Sequence, residues 1–225
     1  MIWAVVPAKL GSESKVRLGA ALSSEGRSRL AFAMLGDVLR ALSGSSRLAG
    51  IALVTCDPAV RELAIDRGAT VVDEPTASPS NGLNGAVAAG IDHCVAAGAE
   101  CVVVAMGDLP LLATAEVDLL IELAANDGAV AARSLDGTGT NLLALRPPHT
   151  LRTFFGPDSL ALHRRAASHA GVSWSETFLP GAALDVDTPN DLARLLAAEA
   201  PLLESHAVLR SEGIAPSLVA RAGLS

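Results

Sequence analysis

The stretch Cys101-Val102-Val103-Val104-Ala105-Met106-Gly107-Asp108-Leu109-Pro110 decides the reading of this chain. Six apolar residues, three of them Val, make a run of one strand's length that stops at a Gly-Asp turn. Downstream, Thr114–Asn126 reads as a helix opened by a Thr cap with Glu116 in its first turn, and Ala129–Arg133 as a further strand. Upstream, Trp3–Val6, Gly50–Thr55 and Thr70–Val72 read as strands. The helices between them are expected at Arg29–Leu42, Ala59–Arg67 and Gly82–Ala97. This alternation predicts an α/β three-layer sandwich around a mostly parallel mixed sheet.

The rhythm changes after Arg133. Asp136-Gly137-Thr138-Gly139-Thr140-Asn141 is a turn-rich loop before a short strand, Leu142–Leu145. Leu160–Ser168 is expected to be helical, Val172–Ser175 extended, Leu184–Val186 a strand and Pro189–Glu199 a helix. With no internal repeat or linker, the chain reads as one domain over residues 1–199, with a helical tail, 200–225, belonging to it.

Composition excludes several classes of function. The chain carries 17 basic and 24 acidic residues, a net charge of −7, and only four Phe, two Trp and no Tyr. A nucleic-acid surface would need a basic excess and stacking aromatics. No apolar run approaches the ~18–20 residues that span a bilayer, and no basic residue precedes the apolar start as it does in a signal peptide. The three cysteines, Cys56, Cys94 and Cys101, form no C-x-x-C and are expected to be buried thiols. A soluble cytoplasmic protein is the expectation.

In open α/β sheets, ligands bind beyond the carboxyl ends of the strands. The loop after the first strand, Pro7–Leu18, holds both lysines of the chain, Lys9 and Lys15, together with Arg17, while the other basic residues are all Arg. Such a loop suits a triphosphate, although it lacks the G-K-[ST] of a Walker A loop; the plain alternative is a solvated loop. Asp108 follows the central strand, where a carboxylate can hold Mg²⁺ beside phosphates, or merely close a turn. In Leu184-Asp185-Val186-Asp187-Thr188-Pro189 the two acids are two residues apart and are expected on one face of a strand. Asp187 could equally cap the helix that Pro189 opens. His163 lies four residues after Ser159 on one helical face, as an anion contact or as a neutral packing residue.

These segments resemble known signatures. The first loop is similar to the P-x-K-x(5)-K-x-R-L of GT-A-like, Rossmann-related nucleotidyltransferases, and G-D-L-P and D-x-D-T-P-x-D-L to that superfamily's two metal-binding strand ends. Gly137-Thr138-Gly139-Thr140-Asn141 and Phe155-Gly156-Pro157-Asp158-Ser159-Leu160-Ala161-Leu162-His163 resemble the G-x-G-T-N and F-G-x-x-S-x-x-x-H motifs of one family. It comprises the 2-phospho-L-lactate and phosphoenolpyruvate guanylyltransferases of coenzyme F-420 biosynthesis. The resemblance runs from Val5 to Leu195.

It implies transfer of GMP from GTP to a small phosphorylated acid (phosphoenolpyruvate, 2-phospho-L-lactate or 3-phospho-D-glycerate), with Mg²⁺ as cofactor and pyrophosphate released. Lys9, Lys15, Arg17 and Asp108 would be catalytic. Lys9, Lys15, Arg17, Gly82 and Asn84 would hold the nucleotide, and Thr140, Gly156 and Ser159 the acceptor. Asp108 and Asp187 would hold the metal, with Asp185 as substitute. The apolar tail points to a homodimer. The competing readings are a molybdopterin or sugar-phosphate nucleotidyltransferase and a nucleotide-binding module without turnover.

Overall fold

The computed structural model describes residues 1–9, 15–75, 82–126, 128–198 and 203–214. Seven strands form one sheet: β1 Ile2–Pro7, β2 Gly50–Thr55, β3 Thr70–Asp73, β4 Cys101–Ala105, β5 Gly128–Arg133, β6 Thr140–Arg146 and β7 Trp174–Thr177. Their order is β3-β2-β1-β4-β6-β5-β7. All pairings are parallel except those of β6, which runs reversed between β4 and β5.

The central strands are apolar throughout because both faces of the sheet are covered. Ala4, Val6, Val103 and Ala105 face one core cluster, and Val5, Val102 and Val104 face the other. The first cluster is completed by α1 Ser24–Ser43, α2 Pro58–Asp66 and α4 Thr114–Leu123, the second by α3 Leu83–Ala96 and α5 Ser159–Ala170. Helix α3 lies close on the sheet at Gly90, where a Cβ would run into Val5 Cγ1 and stand 2.9 Å from Val54 Cγ2. Helices α6 Pro180–Ala183, α7 Pro189–Ala197 and α8 Glu204–Ser211 complete the chain. This is the expected three-layer α/β architecture.

Several local expectations are corrected. Helix α1 begins at Ser24 rather than Arg29, because Ser23 caps it by accepting from the Gly26 N–H at 3.0 Å and its first turn is polar. Thr114 does not cap α4. Ala113 holds that position, Glu116 accepts from its N–H at 3.1 Å, and the Thr114 hydroxyl donates to the Ala41 carbonyl. Leu184–Val186 pairs with no strand; it leaves α6 as extended chain, tied to the site by a bond from the Val186 N–H to the Asp108 carbonyl. Strand β7 begins at Trp174 rather than Val172, and Cys56 is exposed while Cys94 and Cys101 are buried.

The tail docks onto α1. Asp37, wholly buried on α1, accepts from the Glu204 and Ser205 N–H groups and from the Ser205 hydroxyl at 2.7–3.1 Å. Its carboxylate therefore meets the positive end of α8. Leu203 and Leu209 pack with Leu30, Ala31 and Met34, so these apolar tail residues, part of the expectation of a dimer, are used within the chain. Residues 215–225 lie outside the described residues.

Candidate active site

After β1 the chain builds the sheet outward through β2 and β3, then crosses back to place β4 on the other side of β1. At such a reversal the loops leaving neighbouring strands diverge and open a crevice at their carboxyl ends. Here the crevice is a cavity of about 430 Å³. Pro7, Ala8, Lys9 and Lys15 line it after β1, Met106, Gly107 and Asp108 after β4, and Glu74 after β3. Val54, Gly82, Leu83, Ala86 and Asp187 complete the rim, with Ala31, Met34 and Leu35 of α1 as apolar wall.

Charge concentrates at one point of this cavity. Lys15 Nζ donates to Asp108 Oδ2 and to Asp187 Oδ1, each at 2.6 Å. The Lys15 side chain is 11% exposed, against 29% for Asp108 and 44% for Asp187. Burial alone would pull the ammonium below the usual lysine range. Asp108 and then Asp187 outweigh it and hold the pKa above that range. The Lys15 backbone is left-handed, φ 55° and ψ 39°, a conformation costing a non-glycine residue about 1–2 kcal/mol. The double ion pair offsets that strain.

Two carboxylate oxygens converging on one cationic atom are hard oxygen donors of the kind a divalent metal ion takes. Among the described residues no three His, Cys, Asp or Glu side chains form a closed metal cage. An ion between Asp108 and Asp187 would complete its shell with water and phosphate oxygens.

Asp185 stands behind this pair. Burial raises its pKa, Asn141 opposes the rise through a 3.1 Å bond from Nδ2, and Asp108 and Asp187 add to it. Asn141 Nδ2 also donates to the Ala182 and Ala183 carbonyls, so one amide fixes the bend that delivers Asp185 and Asp187. The two acids do not share a strand face as expected, because the segment is not a strand.

The remaining expected residues fall into two groups. Lys9 and Gly82 line the cavity; Arg17 is exposed on the turn Val16–Ala20 and does not. Residues 10–14 of the first loop lie outside the described residues. Asn84 clasps the Phe155 backbone, accepting from its N–H at 2.7 Å and donating to its carbonyl at 2.9 Å. Ser159 Oγ accepts from the Thr140 N–H at 2.8 Å, and both residues are nearly inaccessible. Gly156 is exposed with φ 127°, and a Cβ there would meet nothing within 4 Å. Thr140, Gly156 and Ser159 thus join the start of β6 to the entry of α5, beyond the cavity's lining. Residues that sequence reasoning did not single out include Glu74 and Met106 of the lining and Asn141 behind it.

His163 is wholly buried in this junction. Its Nε2 accepts from the Phe154 N–H at 2.8 Å, so the Nδ1 proton is the one shared with Thr140 Oγ1 at 3.1 Å. Burial lowers its pKa to about 4. An unfolded chain protonates histidine near pH ~6.5, so this contribution is complete above that pH and is lost as pH falls towards 4. The expected loss is about 3 kcal/mol. Thermal unfolding between pH 7 and 4 should show a steeper fall for wild type than for His163→Gln; equal slopes would exclude His163 as the source.

The overall fold is shared with known enzymes. A cytidylyltransferase of Leptospira borgpetersenii superposes with a TM-score of 0.62 over 97% of this chain and 96% of its own, at 15% identity. A strand-order reversal with Lys9, Lys15, Asp108 and Asp187 at its crevice is an arrangement that suits a nucleotidyltransferase, the class to which this chain's family belongs. The chain belongs to the guanylyl transferase CofC-like family, which it matches over residues 2–214. The match runs through α8, past the Leu195 limit expected from motifs. Phosphoenolpyruvate guanylyltransferases of Sphaerobacter thermophilus (36% identical, 88% of this chain and 94% of that one) and Rubrobacter xylanophilus (40%, 86% and 93%) are relatives. So is the 3-phospho-D-glycerate guanylyltransferase of Phenylobacterium zucineum, at 37% identity over 85% of this chain and 88% of that one. Among the described residues no helix is long and apolar enough to cross a membrane.

Proposed function

We propose that the protein transfers GMP from GTP to the phosphate of a three-carbon phosphorylated acid, phosphoenolpyruvate first, with release of pyrophosphate, in coenzyme F-420 biosynthesis. The observation that carries this reading is the meeting of Lys15, Asp108 and Asp187 at one point of a nucleotide-sized cavity. Asp108 and Asp187 are assigned to Mg²⁺, with Asp185 behind them. Mg²⁺ would neutralise charge on the phosphate oxygens as the α-phosphorus changes partner.

Lys9, Lys15 and Arg17 are assigned to the triphosphate. Compact ammonium groups here would stabilise the negative charge that builds on departing pyrophosphate. No general base is needed, because the acceptor's ionised phosphate is already the nucleophile. Gly82 leaves the rim open for the nucleoside, and Asn84 acts through the Phe155 loop it clasps. Thr140, Gly156 and Ser159 are assigned to the acceptor. β6 is reversed, so it brings Thr140 to the carboxyl edge of β4, where the Met106 N–H bonds the Asn141 carbonyl. The acceptor would then approach the paired carboxylates from the β6 side and the nucleotide from the β1 side.

Pyrophosphate release, measured with GTP or ATP against phosphoenolpyruvate, 2-phospho-L-lactate and 3-phospho-D-glycerate, tests the reading. Release with GTP and phosphoenolpyruvate is the expected result, and no release with any of the three acids would overturn it.

A further inference from the structure

We infer that Glu74 reads the base of the nucleotide and selects guanine over adenine. This rests on the proposed use of a nucleoside triphosphate in the same cavity. Glu74 follows β3, while Asp108 follows β4, and the sheet order puts three strand spacings between them. At ~4.8 Å per spacing the separation across the cavity is roughly 14 Å, comparable with the reach of a nucleotide from phosphate to base. With the phosphates at Lys15 and Asp108, the base lies at the β3 end. The walls there are Val54, Leu83 and Ala86, aliphatic surfaces for the two faces of a flat ring.

Glu74 is the acidic side chain that lines this end. Among the described residues its one hydrogen-bond partner is the exposed Cys56 thiol, Sγ to Oε2 at 3.2 Å, a weak donor that a stronger one displaces. Guanine presents two adjacent donors, N1–H and the 2-amino group, which match the two oxygens of a carboxylate. Adenine in the same pose turns the N1 lone pair towards the carboxylate and has no donor at C2. Selection therefore has an attractive and a repulsive part. The side chain is half-buried, so its bonds to the base are partly shielded from water.

The test measures kcat/KM for GTP, ITP and ATP with saturating phosphoenolpyruvate and Mg²⁺, in wild type and in Glu74→Gln. ITP keeps N1–H and lacks the 2-amino group. Wild type should prefer GTP to ITP and ITP to ATP. Glu74→Gln should lose about ten- to a hundredfold with GTP, less with ITP and nothing with ATP, with the acceptor KM unmoved. Calorimetry should show the matching loss for GDP and none for ADP. An equal loss with all three nucleotides, or an unchanged GTP-to-ATP ratio, would overturn the inference and leave the proposed function standing. A wild-type protein that transfers nothing from GTP would sink the proposed function, and the GDP and ADP titrations would still judge Glu74.

Discussion

Asp108→Asn is expected to slow Mg²⁺-dependent pyrophosphate release by a factor on the order of 10³ or more, with the unfolding temperature close to that of wild type. The amide keeps the shape of the side chain and removes the charge. Asp108 is 29% exposed and Lys15 keeps its bond to Asp187, so the expected loss of stability is small. A carboxylate that holds a metal beside phosphate must be anionic, and an amide oxygen is a poor substitute. Asp187→Asn should behave nearly alike. Steady-state kinetics across a Mg²⁺ titration would separate weakened metal binding from lost turnover. Near wild-type rates in both variants would show that the two carboxylates are a structural ion-pair site only.

The second large effect is expected at Lys15. Lys15→Ala should reduce kcat/KM for GTP by about 100- to 1,000-fold, since it removes the cation buried deepest among the proposed phosphate ligands. It also leaves two carboxylates without the ammonium that both of them contact. The metal-free variant should therefore be less stable by about 1–2 kcal/mol, a figure reduced because both acids are partly exposed. Added Mg²⁺ should restore that loss, and differential scanning calorimetry with and without metal would show it. Lys15→Arg should recover only part of the activity, because a planar fork cannot place one positive atom 2.6 Å from two oxygens in a site this closed. Full activity in Lys15→Arg would show that the lysine's shape is immaterial.

The fold was legible because its signals are local. The Val-rich run at 101–106 and the helical spacing of 114–126 each declare one element, and their alternation declares the sheet. Lys9, Lys15 and Asp108 were legible as residues of this cavity for a related reason: the carboxyl end of a parallel strand is a predictable place. Where an arrangement depends on distant partners, the sequence does not carry it. Leu184–Val186 has the composition of a strand, but Asn141, more than 40 residues away, ties its approach through the Ala182 and Ala183 carbonyls and Asp185. Thr140 and Ser159 carry the hydroxyls an anion would meet, but the bonds from the Thr140 N–H to Ser159 Oγ and between Thr140 Oγ1 and His163 join residues 19 and 23 apart and could not be read locally. The motif places Asn84 near the nucleoside, and the clasp of its amide on a loop 71 residues on is a contact that no local signal announces.

Helix α1 has two neighbours that do not touch each other's chemistry. Ala31 and Met34 line the cavity and also pack in the cluster that contains Leu203 and Leu209 of the tail. Any ligand that requires the ordered cavity wall draws on the free energy with which Asp37 anchors α8. By reciprocity, the ligand tightens that anchorage by the same amount. If the tail steadies this wall, a chain shortened before Glu204 is expected to bind GTP more weakly than the full chain, and calorimetry on the shortened chain would show it.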